Sequence, residues 1–171
     1  MTQLVSESKQ SASPVSMLDA AFLDDAVEEV MQVMLGAPFS LAPRGLPLGS
    51  QSQMVTAVVG LAGSISGACV LCAEDQAAMQ MTAAMVGMEI ETLDDTVMDA
   101  IGEVGNMVAG SWKGRIPELA SQCLLSVPTI VVGTSYLVHV HKPTFFLERH
   151  YKFMDHVFSV RIHGDPVSVH P

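Results

Sequence analysis

Positive charge is scarce in this chain: eight Lys and Arg stand against eighteen Asp and Glu, a formal net charge of -10 at pH 7. Nucleic-acid phosphates are held by clustered Lys and Arg, so the balance argues against a nucleic-acid binder. The shortage is concentrated early. Through Glu103 there are fourteen acids against Lys9 and Arg44 alone, and beyond it four acids face six bases. A partner face built from the first part repels anions and accepts a basic or metal-bearing surface. Charge of either sign is also low, at 15%, while 49% of the residues are hydrophobic. That excludes a disordered or fibrous class and suits one compact domain in 171 residues.

An apolar leader is missing too: Met1 to Ser16 is polar, without the hydrophobic core of a secretory signal. Cysteine is limited to Cys69, Cys72 and Cys123, an odd count that predicts free thiols in a reducing cytoplasm. Cys69 and Cys72 form a CxxC, but Val70 and Leu71 between them mark a strand. Residues three apart on a strand point to opposite faces, poor geometry for a redox pair or a metal site. There is no P-loop, nucleophile elbow or dinucleotide fingerprint. One long uncharged run, Met54 to Ala73, approaches the length of a bilayer span. Gly60, Gly63-Ser64, Ser66 and Gly67 interrupt it, and two buried strands joined at a Gly-Ser turn fit it better.

Residues 1–16 read as a disordered arm and 17–171 as one domain. Asp19 to Leu35 is a predicted helix with Phe22, Ala26, Val30 and Val33 on its apolar face and Gly36 as its stop. A Pro- and Gly-rich loop follows over 36–51, then the hairpin. Glu74-Asp75 open an Ala- and Met-rich helix that ends near Gly87 and carries no charge along its body, the mark of a well-buried helix. A second long helix runs from a Thr92/Asp95 capping pair to Lys113-Gly114. Strand-like segments cover Cys123 to Ser126, Pro128 to Gly133, Tyr136 to His141, Thr144 to Phe153 and Val157 to His163. Their short connections predict antiparallel pairing. The fold class is α+β: two long helices on one side of a mostly antiparallel sheet, plus a further buried helix.

On a wheel advancing roughly 100° per residue, Val97, Ile101, Val104 and Val108 form the core stripe of the second long helix. Asp99, Glu103, Asn106 and Gly110 fall on the opposite side as one ridge. Gly102, Gly105 and Ala109 make a flanking stripe of very small residues, suited to close approach by the 19–35 helix. The ridge breaks local rules, since Gly costs about 1 kcal/mol and Asn several tenths relative to Ala in a helix interior. A solvated ridge with no role and a functional ridge both remain open on the helix alone.

The pattern extends past the helix. Asp99-x3-Glu103-x2-Asn106-x21-Pro128, within the run Asp99-Ala-Ile-Gly-Glu-Val-Gly-Asn-Met-Val-Ala-Gly110, closely resembles the signature of the CheC/CheX/FliY phosphatases of bacterial chemotaxis. The resemblance spans residues 19–163 and is strongest over 88–133. It implies a CheC-like fold and hydrolysis of the aspartyl phosphate on a CheY-type receiver domain, whose own Mg²⁺ is the only cofactor. It implies that Asn106 orients the attacking water, that Glu103 pairs with the receiver's lysine, and that Asp99 and Pro128 support them. Helix 19–35 carries Asp25-x3-Glu29-x2-Gln32, an echo of the motif, but Met54 stands where its proline belongs. One complete motif points to the CheX branch, which implies a homodimer joined through the sheet. The rival expectation is a non-catalytic CheX-like module that docks a receiver or a flagellar-switch component. Two histidines, His139 and His141, share a predicted strand face, where a zinc site is conceivable; surface histidines are the default.

Overall fold

A computed structural model describes residues 17–43, 52–134, 136 and 139–167. The proposed arm over 1–16 lies outside the described residues. Helix α1 spans Ala20–Val30, capped by the Asp19 carboxylate, which accepts from the Ala21 N–H at 3.0 Å. It continues as a wide π-helical turn, Met31–Leu35, and stops at Gly36, whose φ of +56° favours glycine. The wide turn corrects the sequence reading. It shifts the helical phase, so Met31 and Leu35 are buried and Val33, placed by 3.6-residue spacing on the apolar face, is 73% exposed.

Strand β1 (Phe39–Leu41) falls inside the segment read as loop. The hairpin is as expected: β2 (Met54–Gly63) and β3 (Ile65–Glu74) pair antiparallel around Ser64. Gly63 takes φ +100°, and a Cβ there would lie 2.1 Å from the Gln122 carbonyl, so no other residue fits. Helix α2 (Asp75–Val86) follows, then α3 (Asp95–Gly114) and the short α4 (Pro117–Ala120). Strands β4 (Cys123–Leu125), β5 (Thr129–Gly133), β6 (Phe145–Phe153) and β7 (His156–Pro166) complete the chain. Residues 136 and 139–141 are not in a strand, contrary to expectation. Lys142 takes φ +29° and Pro143 lacks an N–H, so the ladder starts only at Phe145.

The strands form one antiparallel sheet ordered β1-β6-β7-β3-β2-β4, with β5 also pairing on β2. The helices lie on one face. Their apolar stripes meet Ala57, Val59, Leu71, Val160 and Ile162 of the sheet, all fully buried. Trp112 of α3 is also fully buried and stacks on Phe145 with ring centroids 6.5 Å apart. Helix α1 is tied to β6 by a fork of hydrogen bonds. Arg149 Nε and Nη2 donate to the Asp24 carboxylate at 2.9 and 2.6 Å, and Tyr151 Oη donates to Asp24 Oδ1 at 2.8 Å. Burial and that neighbouring carboxylate hold the Tyr151 phenol well above its ordinary pKa.

The CxxC behaves as its spacing predicts. Cys69 points into the core, where burial pushes its thiol up to about 12. Cys72 points to the other face, where it accepts from Thr56 Oγ1 at 3.0 Å. All three cysteines are free thiols. Among the described residues, no helix is long and apolar enough to cross a membrane.

Candidate functional site

Helix α3 starts two residues later than its sequence cap suggests. Asp94, not Thr92, is the N-cap, and its Oδ1 accepts from the Thr96 and Val97 N–H groups at 3.0 and 3.3 Å. Val97, Ile101, Val104 and Val108 are fully buried, as the wheel predicts. Burial of that stripe fixes the helix rotation and turns the opposite ridge outward. Asp99 and Glu103 are exposed, and Asn106 is half-buried. Their side chains make no hydrogen bond or ion pair with any described residue. One turn separates the carboxylate from the carboxamide, about 4.5 Å along the axis at roughly 1.5 Å per residue.

The small-residue stripe faces the sheet, not α1, which corrects the expected partner. A Cβ on Gly105 would come 3.1 Å from Ala57 Cβ, and one on Gly102 would meet Ile130 Cδ1 at 3.4 Å and Pro128 Cβ at 3.5 Å. The helix therefore lies flat on β2 and β5, and Pro128 butts against it one residue before Glu103. The connection carrying Pro128 is itself anchored: Ser126 exchanges hydrogen bonds with Gly60 of β2 through its N–H (2.9 Å) and its Oγ (2.8 Å). Pro128 thus lies against the helix beside Gly102, just before the start of β5.

On its other flank α3 is held to α1 by a polar cluster. Ser111 Oγ donates to Glu29 Oε2 at 2.6 Å, Arg115 Nη2 lies 2.9 Å from the same oxygen, and Arg115 also donates to the Asp25 carbonyl at 3.2 Å. The hydrogen bonds from Ser111 and Arg115 hold the Glu29 carboxyl below its ordinary pKa. The α1 echo of the motif is therefore committed elsewhere. Glu29 bonds within the domain, and Gln32 donates to Glu28 at 3.0 Å. Between α1 and the β4–β5 side runs an open groove of about 580 Å³, and Asn106 forms part of its lining. Neither this groove nor the cluster was read from the sequence; Ser111 and Arg115 carry no signal there beyond their helical register with the ridge.

His139 and His141 are exposed and lie outside any strand, so they share no strand face. Among the described residues no group of three His, Cys, Asp or Glu is arranged to hold a metal ion.

A sheet covered on one face by two long helices, one of them presenting an unpaired carboxylate and carboxamide to solvent, defines a CheC-like α+β domain. The family model "Chemotaxis phosphatase CheX" matches residues 55–148, more than half of the chain, and the chain belongs to that family. It is 35% identical over 77 residues to the CheY-P phosphatase CheX of Thermotoga maritima, an alignment covering 44% of this chain and 50% of that protein. The chain thus spans half the length of that curated relative. Solved structures share the fold. A CheX–CheY–BeF3–Mg²⁺ complex from Borrelia burgdorferi matches with TM-score 0.69 and 20% identity, over 86% of this chain and 99% of that one. The chemotaxis protein CheX of Vibrio vulnificus matches with TM-score 0.72 and 16% identity, over 86% and 98%.

Proposed function

We propose that this protein accelerates hydrolysis of the aspartyl phosphate on a CheY-type receiver domain. The observation that carries the reading is the unpaired, outward pair Glu103 and Asn106 on a helix whose rotation is locked by burial. An acyl phosphate is already activated, so no nucleophile from this chain is needed. A water attacks phosphorus, the P–O bond to the aspartate breaks, and the receiver's carboxylate leaves. Asn106 supplies a carboxamide that donates and accepts at fixed geometry and takes no proton, so it orients the water without acting as a base. Glu103 pairs with the receiver's lysine and docks the helix, while exposed Asp99 supports that docking. Mg²⁺ belongs to the receiver's site, where it offsets phosphoryl charge. A homodimer joined through the helix-free face of the sheet completes the proposed assembly.

The test is phosphate release from phosphorylated receivers of the host. The wild-type chain is expected to accelerate it and Asn106→Ala to abolish the acceleration with an unchanged melting profile. Equal rates with and without the wild-type chain, across the receivers, would replace the enzyme reading with that of a docking module. That second reading draws on the fold, which is shared with the FliM middle domain of H. pylori (TM-score 0.56, 15% identity).

A further inference from the structure

The groove beside Asn106 has no role in the chemistry just described, and three observations bear on what could fill it. Val30, Val33, Met107 and Leu125 give it apolar walls around Asn106 and Gly110, and the polar residues at its other end, Glu29, Ser111 and Arg115, are bonded to one another. Val33, in the wide turn at the end of α1, is 73% exposed although a polar residue there would satisfy the same backbone. Gly110 has no internal reason to be glycine. A Cβ there would meet only Leu125 Cδ1, at an ordinary 3.8 Å, and its φ is not in the left-handed region. Glycine weakens a helix interior, and here it leaves space toward solvent without serving a close contact inside the domain.

We infer that this groove is the specificity pocket of the docking site and takes an apolar side chain that the receiver carries beside its phosphorylation pocket. The inference rests on the proposed function. Any receiver placed so that Asn106 reaches its phosphoryl group lies over the groove, because Asn106 lines both. The nearest cation, Arg115, is already neutralised by Glu29 at 2.9 Å, so the groove offers an incoming acidic or phosphorylated side chain no free partner. An uncharged, apolar occupant fits what remains. The polar pair then sets position over the phosphoryl group, and the groove sets which receivers seat well.

The experiment measures steady-state hydrolysis and binding of a receiver loaded with Mg²⁺ and beryllofluoride. Val33→Asp changes an exposed side chain and is expected to raise KM and the Kd at least tenfold, with a much smaller change in kcat. Gly110→Leu fills the groove and is expected to do the same; should it melt early, Val33→Asp carries the test. Asn106→Ala is expected to lose kcat while retaining most of the binding. If the wild type hydrolyses and Asn106→Ala does not, but Val33→Asp keeps KM and Kd within twofold, the groove is overturned and the phosphatase reading stands. If the wild type hydrolyses no receiver, both fall.

Discussion

Asn106 is half-buried while Glu103, one turn away, is exposed, and the difference suits the separate tasks proposed for them. A water-orienting amide gains from restricted motion; a docking carboxylate must reach a partner. Asn106→Ala is expected to cut stimulated hydrolysis about a hundredfold or more, the scale lost when a positioning group goes. Glu103→Gln should instead raise KM and flatten its dependence on salt, since it removes a charge and keeps the shape; rates across about 20–500 mM salt, over which the Debye length falls from roughly 20 Å to about 4 Å, check it. Away from the site, the Asp24 carboxylate accepts three hydrogen bonds from β6. Asp24→Ala strands the Arg149 guanidinium, which water partly reaches, and the hydroxyl of the fully buried Tyr151. A loss of about 1–3 kcal/mol is expected in a denaturant titration, with the upper end limited by that partial exposure.

Two glycines of α3 carry opposite expectations. Gly105→Ala drives a methyl to 3.1 Å from Ala57 Cβ, an atom fixed to a strand that cannot rotate away. The helix must lift from the sheet, costing about 1–3 kcal/mol and outweighing the gain in helix propensity. Gly110→Ala meets no such wall and should stabilise by about 0.5–1 kcal/mol. Paired thermal melts decide both signs. These elements also show where sequence is readable. The rotation of α3 was legible because its apolar residues, Val97 to Val108, keep one helical period throughout. The partner of its glycine stripe was not, because a wheel assigns an angle and does not say whether helix or sheet fills it. The end of α1 misled for the opposite reason: a five-residue turn breaks the period on which the wheel depends. β1 was hidden because three residues in a Pro- and Gly-rich stretch carry no alternation of their own, and their pairing partner, Phe153 to Tyr151, lies more than a hundred positions away. Of the site, the ridge itself was visible in spacing, while the groove and the Glu29–Ser111–Arg115 cluster join residues that only folding brings together.

At the scale of the molecule, the helices cover one face of the sheet and leave the other to smaller devices. Tyr136 hydrogen-bonds Thr56 there, and Arg161 lies over the Phe146 ring, 5.5 Å from its centroid. Phe146 and Val131 remain 47% and 38% exposed on that face. If copies meet through it, sedimentation should show a dimer that Phe146→Glu with Val131→Glu converts to a folded monomer. The same face contains His163, 8% exposed, whose Nδ1 has no hydrogen-bond partner. Burial first, then the Arg161 charge, holds its pKa below the ordinary value. The unfolded chain therefore binds a proton more readily than the folded one, and stability falls as pH drops from about 6.5. Melts between pH 7.5 and 5.5 should show a declining Tm that His163→Gln flattens. The Glu29 cluster adds a second loss at lower pH, since a carboxylate with a depressed pKa contributes above its ordinary range and fades as acid titrates it.

The wide turn at Met31–Leu35 has a consequence for how such a protein changes partner. The residue that would greet the receiver's apolar side chain and the residue that would order the water belong to separate stretches of backbone, clamped together by Arg115. Removing one residue from the turn is expected to re-wind it and change how Val33 stands relative to the ridge of α3. Under the proposed docking, discrimination between clients would then be rewritten by a single codon, with the water-orienting amide left on its own helix.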